Sequence, residues 1–322
     1  MKLLKLIPDN TNIKFLRWRT PFYVVSLLLM AASVGLVVTK GLNLGVDFVG
    51  GQMVRVTFVD SPVAPIAEVR AEISDLGYGE PIIQEMGDPN EISIRLKLPD
   101  EDYAGATEQM VRETRASLES NHADARIDDV QSVTGKVSDE LFETGMIALA
   151  LAMLGISIYI WVRFEWQFGV GALFALAHDV TLTLGLFALT GLEFDLNIVA
   201  AVLTLIGYSL NDNIVIYDRI RENLKKYRKM PLPELLDLSV NETLSRTVVT
   251  STSLLITLAS LLLLGPDVIF GFMAAITFGI FVGTYSSIFM STPILIWLGV
   301  TSDSFVPTES RADAQDRKAR EA

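Results

Sequence analysis

Ionisable side chains inside long apolar runs are costly, so each one is a candidate for function. Asp212 is the sharpest case. It stands in Gly207-Tyr-Ser-Leu-Asn-Asp-Asn-Ile-Val-Ile-Tyr217 with Asn211 and Asn213 on either side. A carboxylate held away from water can bind and release a proton, or it can pair with a cation and hold helices together. Both roles fit the residue type. Arg246 opens the next apolar run, in Glu242-Thr-Leu-Ser-Arg-Thr-Val-Val-Thr-Ser-Thr-Ser253. The two runs form a hairpin, which puts its guanidinium at a depth similar to that of Asp212. There it could neutralise the ionised acid or simply snorkel to the membrane surface. The hydroxyls of Thr247, Thr250, Ser251, Thr252 and Ser253 could line a water path or bond back to their own helix.

Two further groups are less decisive. His178 and Asp179 are adjacent within a third apolar run; neighbours on a helix point about 100° apart, so no clean pair between them is expected. They are candidates for a relay to Asp212 or for bonds between helices. Gly45-Val-Asp-Phe-Val-Gly-Gly51 offers a bend, with Gly50 and Gly51 free to adopt unusual backbone angles and Asp47 able to cap it. It lacks the lysine and the spacing of a phosphate loop. Gly45, Asp47, Gly50 and Gly51 are therefore expected to be structural.

The composition says what must position these residues. Half of the 322 residues are hydrophobic, which is too apolar for an ordinary soluble globule. With no cysteine and only two histidines, His122 and His178, disulfides, thiolate metal sites and cysteine nucleophiles are excluded, and no metal site or cofactor is expected. No nucleotide-binding loop or catalytic triad spacing appears, so the chain does not read as an enzyme.

Six spans are expected, at about 22–38, 144–162, 167–189, 196–217, 246–264 and 268–298, each near the ~20 residues that cross a bilayer. Basic residues collect before the first (Lys2, Lys5, Lys14, Arg17, Arg19), after the second (Arg163), after the fourth (Arg219 to Lys229) and after the sixth (Arg311, Arg317, Lys318, Arg320). The loops at Gly191–Asp195 and Gly265–Asp267 carry none. By the positive-inside rule, residues 1–21, the loop at about 218–245 and the tail 299–322 lie in the cytoplasm, and 41–143 lie outside. The stretch Pro231–Ser245 reads as a short amphipathic helix at the interface, or as a partner-binding helix.

The outer segment holds 21 acidic and 8 basic residues against 17 and 18 elsewhere, which does not suit nucleic acid. Period-two apolar positions mark strands at Met53–Val59 and Glu91–Leu98, with further short strands at Pro81–Met86 and Arg126–Val133. Helical stretches run over Ala64–Leu76 and from Asp102 to about Ser120. The order β-α-β-β-α-β predicts a small ferredoxin-like α+β domain.

Together these residues resemble the SecD/SecF family of protein-export membrane proteins, in the resistance-nodulation-division superfamily. The likeness is carried by Gly45–Gly51, Ala177-His-Asp-Val180, Tyr208–Glu222 and Leu244–Ser251, within a layout of one span, one domain and five spans. It implies a bacterial inner-membrane subunit that works with a SecD partner beside the SecYEG channel, with YajC and YidC as further candidate neighbours. It also implies use of the proton-motive force to draw preproteins to the periplasmic side, after the ATPase SecA has driven them in. In the family the span-four aspartate and span-five arginine are linked to proton flow, and they fall on Asp212 and Arg246. A small-molecule efflux subunit would need larger outer domains and a repeated half. A passive scaffold for the channel is the other alternative.

Overall fold

A computed structural model describes residue 8 and residues 11–86, 88–96, 106–133, 135–266 and 269–301. The expected charges at Lys2, Lys5, Arg311, Arg317, Lys318 and Arg320, together with Asp267, lie outside these residues. Among the described residues six helical segments are long and apolar enough to cross a membrane: Phe15–Lys40, Val137–Arg163, Trp166–Thr190, Leu196–Lys226, Leu232–Leu264 and Phe270–Trp297.

A 3₁₀ turn at Phe15–Trp18 leads into α1 (Arg19–Lys40). Its apolar side chains at Val24, Leu28 and Val38 are exposed, as expected of a helix facing lipid. A short strand β1 (Asn43–Leu44) and a one-turn helix α2 (Val46–Val49) follow. The α+β domain then unfolds in order as β2 (Gly51–Phe58), α3 (Ile66–Asp75), β3 (Ile82–Met86), β4 (Asp88–Leu96), α4 (Ala106–Asn121) and β5 (Ala125–Val133). Its sheet has the order β3-β4-β2-β5, antiparallel throughout, which is the ferredoxin-like arrangement expected from the sequence. The even-numbered face of β2 and β4 explains it. Val54, Val56, Phe58, Ile92 and Ile94 bury against Val69 and Ile73 of α3 and Met110 and Leu118 of α4. Each such side chain contributes about 1.5–3 kcal/mol of transfer free energy. The sequence places β4 at Glu91–Leu98, and the structure describes it from Asp88 to Leu96.

The remaining helices are α5 (Gly135–Arg163), α6 (Trp166–Thr190), α7 (Leu196–Lys226), α8 (Leu232–Leu264) and α9 (Phe270–Ser286). A two-residue strand β6 (Glu193–Phe194) precedes α7 and pairs in parallel with β1. Helices α6, α7 and α9 form the centre of the bundle, where half or more of each apolar window is buried; α1, α5 and α8 are far more exposed.

One expectation needs correction. Pro231–Ser245 is not a separate interfacial helix: α8 runs unbroken from Leu232 to Leu264, since no glycine or proline interrupts it after Pro233. Its first turns bury Leu235, Leu236 and Val240 in the bundle core. They also clasp the N-terminal segment, where the Ile13 and Leu16 backbone N–H groups donate to Asn241 Oδ1 and Asp237 Oδ1, each at 2.9 Å. The sixth span, expected at about 268–298, is not one uniform α-helix. It passes through a π-helical turn at Ser287–Ser291 before α10 (Thr292–Trp297), which carries Pro293 in its first turn.

Candidate functional site

The α7 helix carries two polar levels one turn apart. At the first, Ser209 donates to Asp179 Oδ2 across from α6 at 2.6 Å. Ser286 of α9 donates to the same oxygen at 2.9 Å. Asp179 Oδ1 lies 2.9 Å from Nδ1 of His178. Asp179 and His178 are fully buried. The carboxylate therefore ties three central helices together with every near donor used. The expectation that His178 and Asp179 cannot pair is overturned. Although their Cα–Cβ bonds diverge, the Asp179 carboxylate lies between the imidazole of its own helix and the serines of α7 and α9.

The second level holds Asp212, 3% exposed, whose Oδ2 is buried without a hydrogen-bond partner. Arg246 stands on α8, the helix packed against α7. The guanidinium side chain is exposed at the flank of the bundle, and no ion pair within 4.0 Å joins the two. The two residues lie on packed helices, but they form no ion pair. Asn211 points outward and is exposed. Asn213 turns the other way: its Nδ2 donates to the Ser209 carbonyl at 3.0 Å and its Oδ1 accepts from Ser291 Oγ. Neither asparagine bonds to Asp212, and neither His178 nor Asp179 reaches it.

Several partners escaped the sequence reading. Tyr208 Oη and Ser251 Oγ lie 3.1 Å apart, and Ser251 Oγ is 2.8 Å from Thr284 Oγ1, so a run of hydroxyls crosses α7, α8 and α9. Tyr208 lies four residues before Asp212, and therefore on its helix face. That spacing was the available signal. Tyr217 Oη and Tyr23 Oη donate to the Ser291 and Met290 carbonyls, at 3.3 and 2.6 Å, in the π-helical turn. No sequence pattern announces such a turn.

The Gly45–Gly51 segment is structural, as expected, though in another way. Gly50 and Gly51 have φ of 72° and 123°, a region that side-chain-bearing residues avoid. Asp47 does not cap its own bend. Its Oδ2 accepts from the Leu196 backbone N–H at 3.1 Å, while Asp195 Oδ1 accepts from Ile198 at 3.0 Å, so two carboxylates cap α7. A Cβ on Gly45 would come within 2.9 Å of Glu193 Oε1, so this position needs glycine for close approach.

These features define a multi-pass membrane protein with an extramembrane α+β domain and a polar centre inside its helix bundle. The family model described as "Protein export membrane protein SecD/SecF, C-terminal" matches residues 113–301, and the "SecD/SecF GG Motif" matches 35–61. A protein translocase subunit SecF of Cereibacter sphaeroides is 44% identical over 92% of this chain and 93% of its own length. The SecF subunit of Pseudomonas aeruginosa is 36% identical over 95% of this chain and 98% of its own. A crystal structure of SecDF, a translocon-associated membrane protein from Thermus thermophilus, superimposes with a TM-score of 0.82 at 34% identity. The match covers 91% of this chain and 39% of that one. SecDF in a super-membrane-facing form gives a TM-score of 0.67 at 32% identity, over 98% of this chain and 41% of the other. The chain belongs to the SecD/SecF family, among its SecF protein translocase subunits.

Proposed function

We propose that this subunit couples proton movement through the α7–α8 pair to preprotein transport, in complex with a SecD-type partner. The observation that carries the reading is the state of Asp212: a buried carboxylate oxygen with no hydrogen bond, on the helix that packs against the Arg246-bearing α8. A structural carboxylate has both oxygens hydrogen-bonded, as Asp179 has. An open one can exchange a proton with little rearrangement, and Arg246 can compensate the charge whenever the proton is absent.

The reading places the protein in the bacterial inner membrane, with both termini cytoplasmic and residues 41–143 periplasmic. Protons are the coupling ion, with no further cofactor. SecYEG is the channel served, YajC and YidC are further neighbours, and the preprotein is engaged on the outer side. The T. thermophilus relative, whose single chain carries both names, supports the SecD partnership. One charge moved through ~100 mV is worth about 2.3 kcal/mol, enough to bias two poses of the α+β domain.

Secretion of a preprotein in cells depleted of the native subunit tests this. Asp212→Asn keeps the shape but cannot cycle its charge, so export is expected to fail at normal protein levels. Wild-type secretion from that variant would refute the proposal.

A further inference from the structure

Three side-chain pairs fix the register of the α7–α8 seam, and the seam runs past Asp212. Tyr208 Oη lies 3.1 Å from Ser251 Oγ, Arg219 Nε lies 3.2 Å from Glu242 Oε2, and Asn223 Nδ2 donates to Ser239 Oγ at 3.0 Å. Residue numbers rise on α7 as they fall on α8, so the two helices run antiparallel here. Between the first pair and the other two, this register sets Asp212 across from Thr247, Ile216 across from Leu244, and Ile220 across from Val240. On each helix these positions recur three or four residues apart and so share one face. Ile216, Leu244, Ile220 and Val240 are all buried and belong to one packed cluster.

The two directions along the seam from Asp212 differ. Away from the α7–α8 loop, the next groups are the hydroxyls of Tyr208, Ser251 and Thr284. Toward the loop come two apolar layers, then a polar clasp. Glu242 Oε2 faces Arg219 and also accepts from Asn223 Nδ2 at 2.8 Å. Asn223 and Ser239 are buried, so water does not compete for their bonds. Arg219 is steadied from its own helix, where Nη1 donates to Glu222 Oε2 at 2.7 Å. A tight apolar layer excludes the water that a proton path needs.

We propose, resting on the transport reading above, that Arg219, Asn223, Ser239 and Glu242 seal the loop end of the proton path through Asp212. None of the four exchanges the proton. They are positioning residues that hold α7 against α8, so that Ile216 and Leu244 stay closed over the carboxylate. With the clasp shut, a proton reaches Asp212 from the hydroxyl side. It leaves toward the loop only when the clasp parts and the apolar layers separate.

The full chain, reconstituted with its SecD-type partner in liposomes that hold a pH-sensitive dye, tests the seal through the decay of an imposed pH gradient. Glu242→Ala and Arg219→Ala break the clasp from either helix, and each is expected to speed the decay several-fold over the unmutated chain. Adding Asp212→Asn to either variant should return the decay to the rate of Asp212→Asn alone, because the seal guards that carboxylate. A clasp that only stabilised the fold would lower the melting temperature without opening a path that Asp212 controls. Decay at the unmutated rate in both clasp variants overturns the proposal, and so does a fast decay that survives Asp212→Asn. Secretion by Asp212→Asn alone is read separately, so a failed seal leaves the transport reading to stand or fall on its own test.

Discussion

Two aspartates in the same bundle differ in one respect, and it separates their roles. Asp179 has two serine hydroxyls and an imidazole on its carboxylate. Asp212, one turn along α7 from Ser209, has a buried oxygen with none. Both are buried, so burial alone does not distinguish a structural acid from a working one. Satisfaction of the lone pairs does. A hydrogen-bonded carboxylate resists protonation, because taking up a proton turns an accepting oxygen into a donor and costs it a partner. An open one is poised to change state.

That contrast can be broken or sharpened by substitution. The largest effect is expected from Asp179→Ala, which strands Ser209 and His178 Nδ1 in a buried core and leaves Ser286 only its bond to the Gly283 carbonyl. At about 1–3 kcal/mol per stranded group, the folded protein should be lost from the membrane, as quantified by immunoblot and by thermal unfolding in detergent. Arg246→Gln comes next for function and is near zero for stability, because the exposed guanidinium makes no ion pair to lose; export should fall while the melting temperature holds. Ser251→Ala removes the middle of the Tyr208–Ser251–Thr284 run and should cost about 1 kcal/mol, read as a small drop in thermal stability. Asn211→Ala should change neither export nor stability, since its side chain faces outward. A strong export defect there would mean that the lipid-facing side of α7 takes part in coupling.

The sequence made the large features legible for physical reasons. Long apolar runs have few alternatives to spanning a membrane, and period-two patterns at Val54–Phe58 and Ile92–Leu96 have few alternatives to half-buried strands. Asp212 and Arg246 stood out because charge inside an apolar run is expensive. What stayed hidden depends on contacts distant in sequence. The partners of Asp179 lie 30 and 107 residues away, and Asp47 caps a helix 149 residues further on. Hydroxyls on apolar helices give no hint of whether they bond outward or back to their own backbone. The amphipathic pattern at Pro231–Ser245 was real, but its apolar stripe faces α7 and the bundle core, and composition alone does not separate that from a membrane surface.

The central claim is that Asp212 changes protonation while Asp179 does not. pH-difference infrared spectroscopy of the protein in lipid reads carboxyl groups directly. One protonated-carboxyl component that grows as the pH falls, isolated from the background of the chain's 38 acidic residues by subtracting variant from unmutated spectra, is expected to be missing in Asp212→Asn and to persist in Asp179→Asn. If the titrating band survives in Asp212→Asn and disappears in Asp179→Asn, the roles assigned to the two aspartates are contradicted.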